Sequence, residues 1–279
     1  MMCMHSCPDI DGLFQKYLSN WMETHANEIG TDLERAEEAV PDVYETFLNT
    51  PNEELAWEKP HDFFKIEENV DGLIDWLCEY HALEIPIPDL LVEQIVDQGK
   101  EAEAELISLL WQAETDMEIR LLCVSMLREL GSVQPMEDYV NWIACSDAGN
   151  ELAGALAESL AYMGKEATER IISRFPDATD AGKDLFCDIL AGAPYDTRIA
   201  VFLRERFEAH PENLALYASY LAKHGDEGAL PLLMNKVNDP DLQYLDFIEL
   251  ANAIEQLGGE RPAEREFAGD PCYEALKNL

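Results

Sequence analysis

The chain has 279 residues, 47% of them hydrophobic, and its 57 acidic residues outnumber 19 basic ones to give a net charge of −38 at pH 7. This length and apolar content allow one elongated domain or two compact ones with a sizeable core, and they exclude a chain that is disordered throughout. The negative field repels phosphates and anionic lipids, so we expect neither nucleic acid nor a membrane surface as a partner. An ordinary soluble surface, a patch for a basic partner or a salt-adapted cytoplasm would each account for the acidic excess.

The first residues, MMCMHSCPDIDGLF, contain neither the basic segment nor the apolar core of a secretory signal. We therefore expect a cytoplasmic protein, in which widely spaced cysteines are reduced thiols packed in helices. Cys3, His5 and Cys7 offer three soft metal ligands, but a fourth is missing, so we expect a disordered end rather than a site. The cysteines are Cys3, Cys7, Cys78, Cys123, Cys145, Cys187 and Cys272.

Residues 1–68 have the pattern of a helical region rich in aromatic side chains. Apolar residues recur at helical spacing from Leu13 to Met22, and Thr31 with Glu34 matches a capping box at the start of another helix. The aromatic residues are Tyr17, Trp21, Tyr44, Phe47, Trp57, Phe63 and Phe64. A stack of helical repeats needs its first face covered, so we predict a helical cap here. A separate docking module that exposes these aromatic side chains is the alternative.

Prolines divide the next part of the chain. We expect Pro41, Pro51 and Pro60 to break the N-terminal region into short pieces. The two prolines of EIPIPD, Glu84 to Asp89, cannot continue a helix. This segment is therefore the best candidate for a linker.

From Asn69 onward the apolar residues recur every three or four residues, as in amphipathic helices. A helix-ending residue returns at steps of 32, 33, 30, 31 and 33 residues. These residues are Gly99, Gly131, Gly164, Pro194, Gly225 and Gly258. Each interval contains a first helix, a turn and a second helix, and one such pair cannot bury its own apolar face. We therefore predict about five stacked helix pairs that share a core.

The segment TDMEIRLLCVSMLRELG is a typical second helix. Its apolar residues between Ile119 and Leu130 fall on one side, and Gly131 ends it. Thr115 and Glu118 match a capping box at its start. The sequence thus predicts both ends of this helix as well as its buried face.

Two segments resemble the HEAT family, including its shorter variant. TDMEIRLLCVSMLRELG is similar to the family's second helix, with Asp116 and Arg120 where the family carries an Asp and an Arg. GDEGALPLLMNKVNDPDLQ is similar to its first helix and turn, with Asp239 to Asp241 at the turn. The resemblance covers about Asp89 to Gly258. It implies a right-handed superhelix whose second helices line a concave side and contact partners.

The predicted fold is therefore all-α, with an N-terminal helical cap at residues 1–68 and a HEAT-like solenoid of about five helix pairs at residues 69–279. In the third of the second helices, expected from Asp180 to Ala191, we place Leu185, Phe186 and Ile189 in the core. Residues opposite such core faces would form the partner surface. They are Glu151, Glu158, Tyr162, Asp180, Asp184, Leu216, Tyr220, Asp246 and Glu249.

This mixture of carboxylates, tyrosines and a leucine suits a basic amphipathic peptide or protein segment, since apolar anchors give affinity and charge gives register and association rate. Ordinary scattered surface residues are the alternative. We expect charge reversal at Glu158 and Asp184 to weaken capture of a basic partner without lowering thermal stability.

Local signatures of catalysis are absent: the sequence contains no HExxH, CxxC, GxSxG, P-loop or GxGxxG pattern. We predict no enzymatic activity, no catalytic residue, no cofactor and no metal. Asp71, Asp75 and Glu79 are one helical turn apart, which indicates a solvated face, with a cation site as the alternative. His224 precedes Gly225 at a helix end, where we interpret it as part of a joint between repeats.

The expected function is a scaffold or adaptor that binds a protein or peptide. One alternative is a structural subunit, with a large apolar patch at the N-terminal cap or the tail FAGDPCYEALKNL. Another is a HEAT-like enzyme, of the DNA-glycosylase or bilin-lyase type. A deep pocket with converging residues of shifted pKa would favour the enzyme, and an open groove would favour the scaffold. The identity of the partner and the oligomeric state are left open.

Overall fold

A computed structural model describes residues 7–26, 33–67 and 69–277. Within these ranges the chain is all-helical and has no strand. It divides into two compact units, Met1–Ser132 and Val133–Leu279. Among the described residues, no helix combines the length and the apolar composition that crossing a membrane requires.

The first unit is built from three adjacent pairs of helices. They are α1 (Ile10–Thr24), α2 (Leu33–Leu48), α3 (Val70–Ala82), α4 (Asp89–Asp97), α5 (Lys100–Leu110) and α6 (Met117–Glu129). Two short 3-10 helices, Glu53–Leu55 and Pro60–Ile66, lie between α2 and α3. α1 packs on α2, α3 on α4 and α5 on α6.

Aromatic rings form much of the core of the first unit. Phe47 is buried, and its ring centroid lies 5.4 Å from that of Phe14. Phe64 is also buried and packs edge to face on Trp76 of α3, with centroids 5.0 Å apart. Such ring pairs add to the free energy of burial. Of the seven aromatic residues singled out in the sequence, only Trp57 is exposed, which argues against a docking module of exposed rings.

The boundary predicted between residues 68 and 69 falls inside the first unit. Tyr80 of α3 is fully buried, and its hydroxyl donates a 2.8 Å hydrogen bond to the carbonyl oxygen of Pro8. The N-terminal region and α3 therefore share one core, because a buried hydroxyl needs its partner in place.

Pro41 lies within α2, so the prediction that it breaks the chain there is wrong. A proline removes one hydrogen bond from a helix interior, and tertiary packing of the helix can outweigh that loss. Here Val43 and Phe47 of α2 are buried in the unit. Thr31 of the predicted capping box lies outside the described residues.

The turn between α5 and α6 is closed by side chains. Asp116 caps α6 by accepting a 2.9 Å hydrogen bond from the Glu118 amide. Arg120 donates to the carbonyl oxygens of Thr115 and Gln112, at 3.0 and 2.7 Å. The Thr115 hydroxyl instead donates to the carbonyl of Leu109. The predicted capping box is therefore wrong by one residue, since the extended backbone of Asp116 places that residue at the cap.

The second unit contains four consecutive helix pairs and a final short helix. They are α7 (Met136–Ala144), α8 (Glu151–Tyr162), α9 (Gly164–Arg174), α10 (Asp180–Ala191), α11 (Thr197–Ala209), α12 (Leu214–His224), α13 (Leu230–Val237), α14 (Tyr244–Gln256) and α15 (Pro271–Lys277). Each first helix of a pair packs on its second. The second helices α8, α10, α12 and α14 also pack on one another in that order. The prediction of packed helix pairs is confirmed.

Glycines with positive φ angles mark joints between successive pairs. Gly164, Gly225 and Gly258 have φ angles of 71°, 75° and 81°. Residues with a Cβ rarely adopt this left-handed conformation, whereas glycine does so without a steric penalty. The spacing of these glycines in the sequence therefore corresponds to the positions of helix ends in the structure.

Arginine side chains connect successive first helices of the second unit. Arg170 of α9 pairs with Glu137 of α7. Arg198 of α11 holds both carboxylate oxygens of Glu169 of α9, at 3.0 and 2.8 Å. Two-pronged arginine–carboxylate contacts fix geometry as well as charge. Scarce basic residues thus neutralise acidic ones where helix pairs stack.

One ion pair of the second unit is buried on its acidic side. Asp226 follows α12 and is 0% exposed. Arg204 of α11 binds it through two contacts, at 2.6 and 2.9 Å. A buried carboxylate is tolerated only when it is paired in this way. The pair ties the start of the fourth helix pair to the third.

The C-terminal segment covers the apolar face of α14. Phe267 is buried, with its ring centroid 5.3 Å from that of Tyr244 and 5.1 Å from that of Phe247. The Arg265 guanidinium lies 4.8 Å from the Phe267 centroid and donates a 2.7 Å hydrogen bond to the Asp239 carbonyl oxygen. These contacts bury the Phe267 side chain against α14 instead of exposing it.

Candidate partner-binding cleft

A cleft of about 1150 Å³ opens between α8 and α10 in the second unit. The residues of α8 that line it include the small residues Gly154, Ala157 and Ala161, next to Glu158 and Tyr162. A Cβ atom added at Gly154 would meet no other atom within 4 Å, so this side of the helix is open. The other side includes Leu185 and Ile189 of α10. The cleft therefore presents apolar surface to solvent beside polar surface from charged residues such as Glu158 and Lys165.

Two exposed tyrosines line this cleft. Tyr162 ends α8 and is 80% exposed, and Tyr195, in the loop before α11, is 57% exposed. Tyrosine offers a large contact area at a small cost in side-chain entropy, and it is enriched at protein interfaces. Two such side chains on one cleft indicate a surface suited to binding.

The charges that line the cleft nearly balance, although the chain as a whole is strongly acidic. The basic residues are Lys165, Arg198 and Lys223, and the acidic residues are Glu158, Glu169, Asp188 and Asp196. Because the net charge of the lining is small, an uncharged group can enter the cleft without separating charged residues from their ion-pair partners.

Arg198 holds two of the carboxylates of the cleft as anions. Its Nε lies 3.0 Å from Asp196, and its terminal nitrogens contact Glu169. Hydrogen bonds from Arg198 lower the pKa of Asp196 to about 2 and also lower the pKa of Glu169. These groups are therefore ionised at neutral pH, where they serve as ion-pair partners rather than as proton donors.

Residues predicted from α8 lie on or near the cleft. Glu158 and Tyr162 line it, whereas Glu151 is exposed in the first turn of the helix. Leu185 and Ile189, by contrast, are only half-buried. Their assignment to the core is wrong, because α10 turns Cys187 and Leu190 inward and leaves these two side chains on the cleft.

Asp180 and Asp184 lie at the other end of α10 and bind Arg206, which is 6% exposed. The Tyr217 hydroxyl also donates to Asp184. Arg206 lowers the pKa of Asp180 through a hydrogen bond and its positive charge. Asp184 thus stabilises a buried cation. This contact argues against the expectation that the charge of Asp184 could be reversed at no cost in stability, because the reversal would place two positive groups together.

The remaining predicted residues are on α12 and α14. Leu216 and Glu249 are exposed, whereas Tyr220 and Asp246 are half-buried. Burial raises the pKa of Tyr220, and Asp188 contributes as a neighbouring negative charge. Burial likewise raises the pKa of Asp246. The predicted surface is therefore uneven: some members face solvent, and others take part in internal contacts.

His224 is a structural link between two helix pairs. It is 3% exposed, and its Nε2 accepts a 3.1 Å hydrogen bond from the Asp196 amide at the start of α11. Tyr195 stacks on its ring, with centroids 5.3 Å apart. The position of Tyr195 on the cleft is therefore set by a residue at the end of α12.

Metal-ligating residues come together at one place among the described residues. His81, Asp116 and Glu118 place ligand atoms within 4.8 Å of one another. The two ring nitrogens of His81 face different carboxylates, at 3.5 and 3.6 Å, which is the arrangement of an imidazole between two acids. Cys3 and His5 lie outside the described residues. The presence of these three donors is not enough to indicate a metal site.

Of the six described cysteines, Cys123 and Cys187 are buried packing residues, whereas Cys145 and Cys272 are exposed. All six are unpaired. Burial raises the pKa of Cys123 and of Cys187 to about 12, so both stay protonated thiols at neutral pH.

Several cleft residues were not predicted from the sequence. Tyr195 and Lys223 belong to joints, which the repeat pattern treats only as helix ends, and Lys165 belongs to a first helix. Pro194, which replaces the glycine of the other joints, was the one sequence feature that set this loop apart.

Comparison with models of protein families, with curated proteins and with solved structures gives no match.

Proposed function

We propose that the chain is a scaffold that binds a basic, amphipathic segment of another protein along its second helices. In this proposal the helix pairs form a HEAT-like, right-handed solenoid, and the second helices line its concave side. The protein acts without a cofactor.

The consecutive packing of α8, α10, α12 and α14 supports this proposal. Helices that pack in register place their exposed residues in a row, which an extended or helical partner can follow. Glu151, Leu216 and Glu249, which the proposal assigns to this row, are exposed. Their mixture of negative charge and apolar surface suits a partner that carries basic and apolar residues.

The rival functions have less support in the described residues. Among the described side chains of the C-terminal segment, Phe267 is buried against α14 and so adds nothing to the exposed patch expected of a structural subunit. An enzyme site would favour carboxylates whose pKa is raised towards neutral. In the cleft, Arg198 lowers the pKa of Asp196 and of Glu169 instead.

Charge reversal on the row of second helices tests the proposal. The probe is a fluorescein-labelled amphipathic helical peptide of lysine and leucine, and a version with glutamate in place of lysine checks the requirement for positive charge. We expect the double variant Glu151→Lys with Glu249→Lys to bind the lysine peptide about tenfold more weakly, measured by fluorescence anisotropy.

The matched control is Glu205→Lys with Glu208→Lys on α11. Both glutamates are exposed on a first helix, and the change in net charge is the same. We expect at most about a twofold loss from this control, because only the overall field changes. Equal losses in the two double variants, or no binding of the lysine peptide by the unmodified protein, would contradict the proposal.

A further inference from the structure

We infer that the cleft between α8 and α10 receives an aromatic side chain of the partner, while the partner's basic residues lie outside the cleft on the acidic row. This inference rests on the proposed function. It adds the place and the chemical type of the residue that anchors the partner.

The shape of the cleft provides the first reason. Gly154, Ala157 and Ala161 leave space along α8, and Leu185 and Ile189 offer apolar side chains opposite them. An aromatic ring that enters this space loses water from a large apolar area, and the surrounding aliphatic atoms lose water as well. Interfaces draw most of their binding energy from a few anchors of this kind.

The exposed tyrosines provide the second reason. Tyr162 and Tyr195 both line the cleft and leave much of their ring surface exposed to solvent. Aromatic rings in contact gain energy beyond simple burial. The hydrogen bond from the Asp196 amide to His224, and the stacking of Tyr195 on that imidazole, hold one of the rings in position before a partner arrives.

The charges of the cleft distinguish an aromatic anchor from a basic one. Lys165 and Lys223 line the cleft, and Arg198 is bound to Glu169 and Asp196. Four acidic residues also line the cleft, so its net charge is small and a lysine or arginine from the partner would gain little attraction in exchange for its lost hydration. An aromatic ring meets no such penalty and can accept a cation–π contact from a lysine.

Two lysine-rich peptides that differ at one central position, tryptophan in one and alanine in the other, test the inference by fluorescence anisotropy. We expect the unmodified protein to bind the tryptophan peptide about tenfold more tightly than the alanine peptide. The variant Ala161→Trp places an indole ring at the cleft from an exposed position on α8, where it competes with the partner's ring. It should reduce this ratio to about one and leave the affinity for the alanine peptide unchanged.

Two further variants guard against misinterpretation. Gly154→Leu places a side chain in the open part of the cleft, and it should reduce the ratio while raising the melting temperature, because leucine favours a helix more than glycine does. Ser173→Trp adds the same tryptophan to an exposed position on α9 that does not line the cleft, and it should keep the tenfold ratio.

The outcomes separate the inference from the proposed function. Equal binding of both peptides by the unmodified protein, or a ratio that survives both cleft variants, overturns the aromatic anchor and leaves the basic partner standing. If neither lysine-rich peptide binds, both the inference and the proposed function are overturned.

Discussion

In the first unit, rings such as Phe14 and Phe47 join α1 to α2, whereas in the second unit Arg170 and Arg198 join successive first helices through carboxylates. The ring contacts belong to helices that follow no regular spacing. The ion pairs occur where helix pairs repeat. An acidic chain that stacks similar units brings like charges together, and an arginine at the junction removes that repulsion.

The contrast implies that the two units respond differently to changes in the sequence and in the solvent. Ring contacts depend on buried apolar area and are insensitive to pH. Ion pairs depend on protonation and, when exposed, on salt. Three substitutions, from the largest expected effect to the smallest, test this difference.

Removal of Phe47 should have the largest effect. The side chain is 1% exposed, so Phe47→Ala leaves a cavity in the core of the first unit and should lower the free energy of unfolding by about 4 kcal/mol. Urea unfolding measures the loss, and hydrogen exchange should show faster exchange in α1 and α2. Phe47→Leu keeps most of the volume and should cost about 1 kcal/mol. Similar losses in the two variants would show that the loss of stability does not depend on the side-chain volume removed at this position.

Removal of Arg204 should have the next largest effect. Arg204→Met keeps the aliphatic stem but leaves Asp226 buried without its cation, which should cost about 3 kcal/mol in the free energy of unfolding. Arg198→Met is the matched control, because its ion pairs are exposed to solvent and should contribute much less. Equal losses of unfolding free energy in the two variants, measured with urea, would contradict the claim that burial of Asp226 makes its ion pair the more important one.

The smallest effect concerns pH. The pKa of Asp196 is lowered in the folded protein to about 2, so its carboxylate stabilises the fold fully above the ordinary pKa near 4, and this contribution is lost as pH falls towards 2. Asp196→Asn keeps a residue suited to the cap of α11 but removes the charge. The difference in unfolding free energy between the two proteins should shrink over this pH range. A difference that stays constant with pH would contradict the ion pair with Arg198.

The regular parts of the second unit could be predicted because local patterns determine them. The bounds expected for α10, Asp180 to Ala191, are those of the structure, since a threonine cap, helical periodicity and a glycine lie next to one another in the sequence. The turn before α6 was misplaced by one residue, because Thr115 and Asp116 are both good caps and only the fold decides between them.

The site was harder to predict because its contacts join distant residues. Asp184 was expected to be an exposed acid, but it binds Arg206. Arg206 lies 22 positions further along the chain, and no local sequence pattern indicates that the two residues are in contact. Periodicity identifies α10 as amphipathic but does not fix the angle at which it packs, so Leu185 was assigned to the core. Tyr195 lies in a loop, and helical periodicity gives no information about the positions of loop residues.

The glycine joints of the second unit have a consequence for how such a chain can change its length. At Gly164 and Gly225 the helix end is set by a local left-handed turn. A duplication or deletion that begins and ends at such glycines would transfer whole helix pairs with their ends intact. Recombination at these positions therefore offers a route by which an ancestral gene could lengthen or shorten the array without designing a new turn.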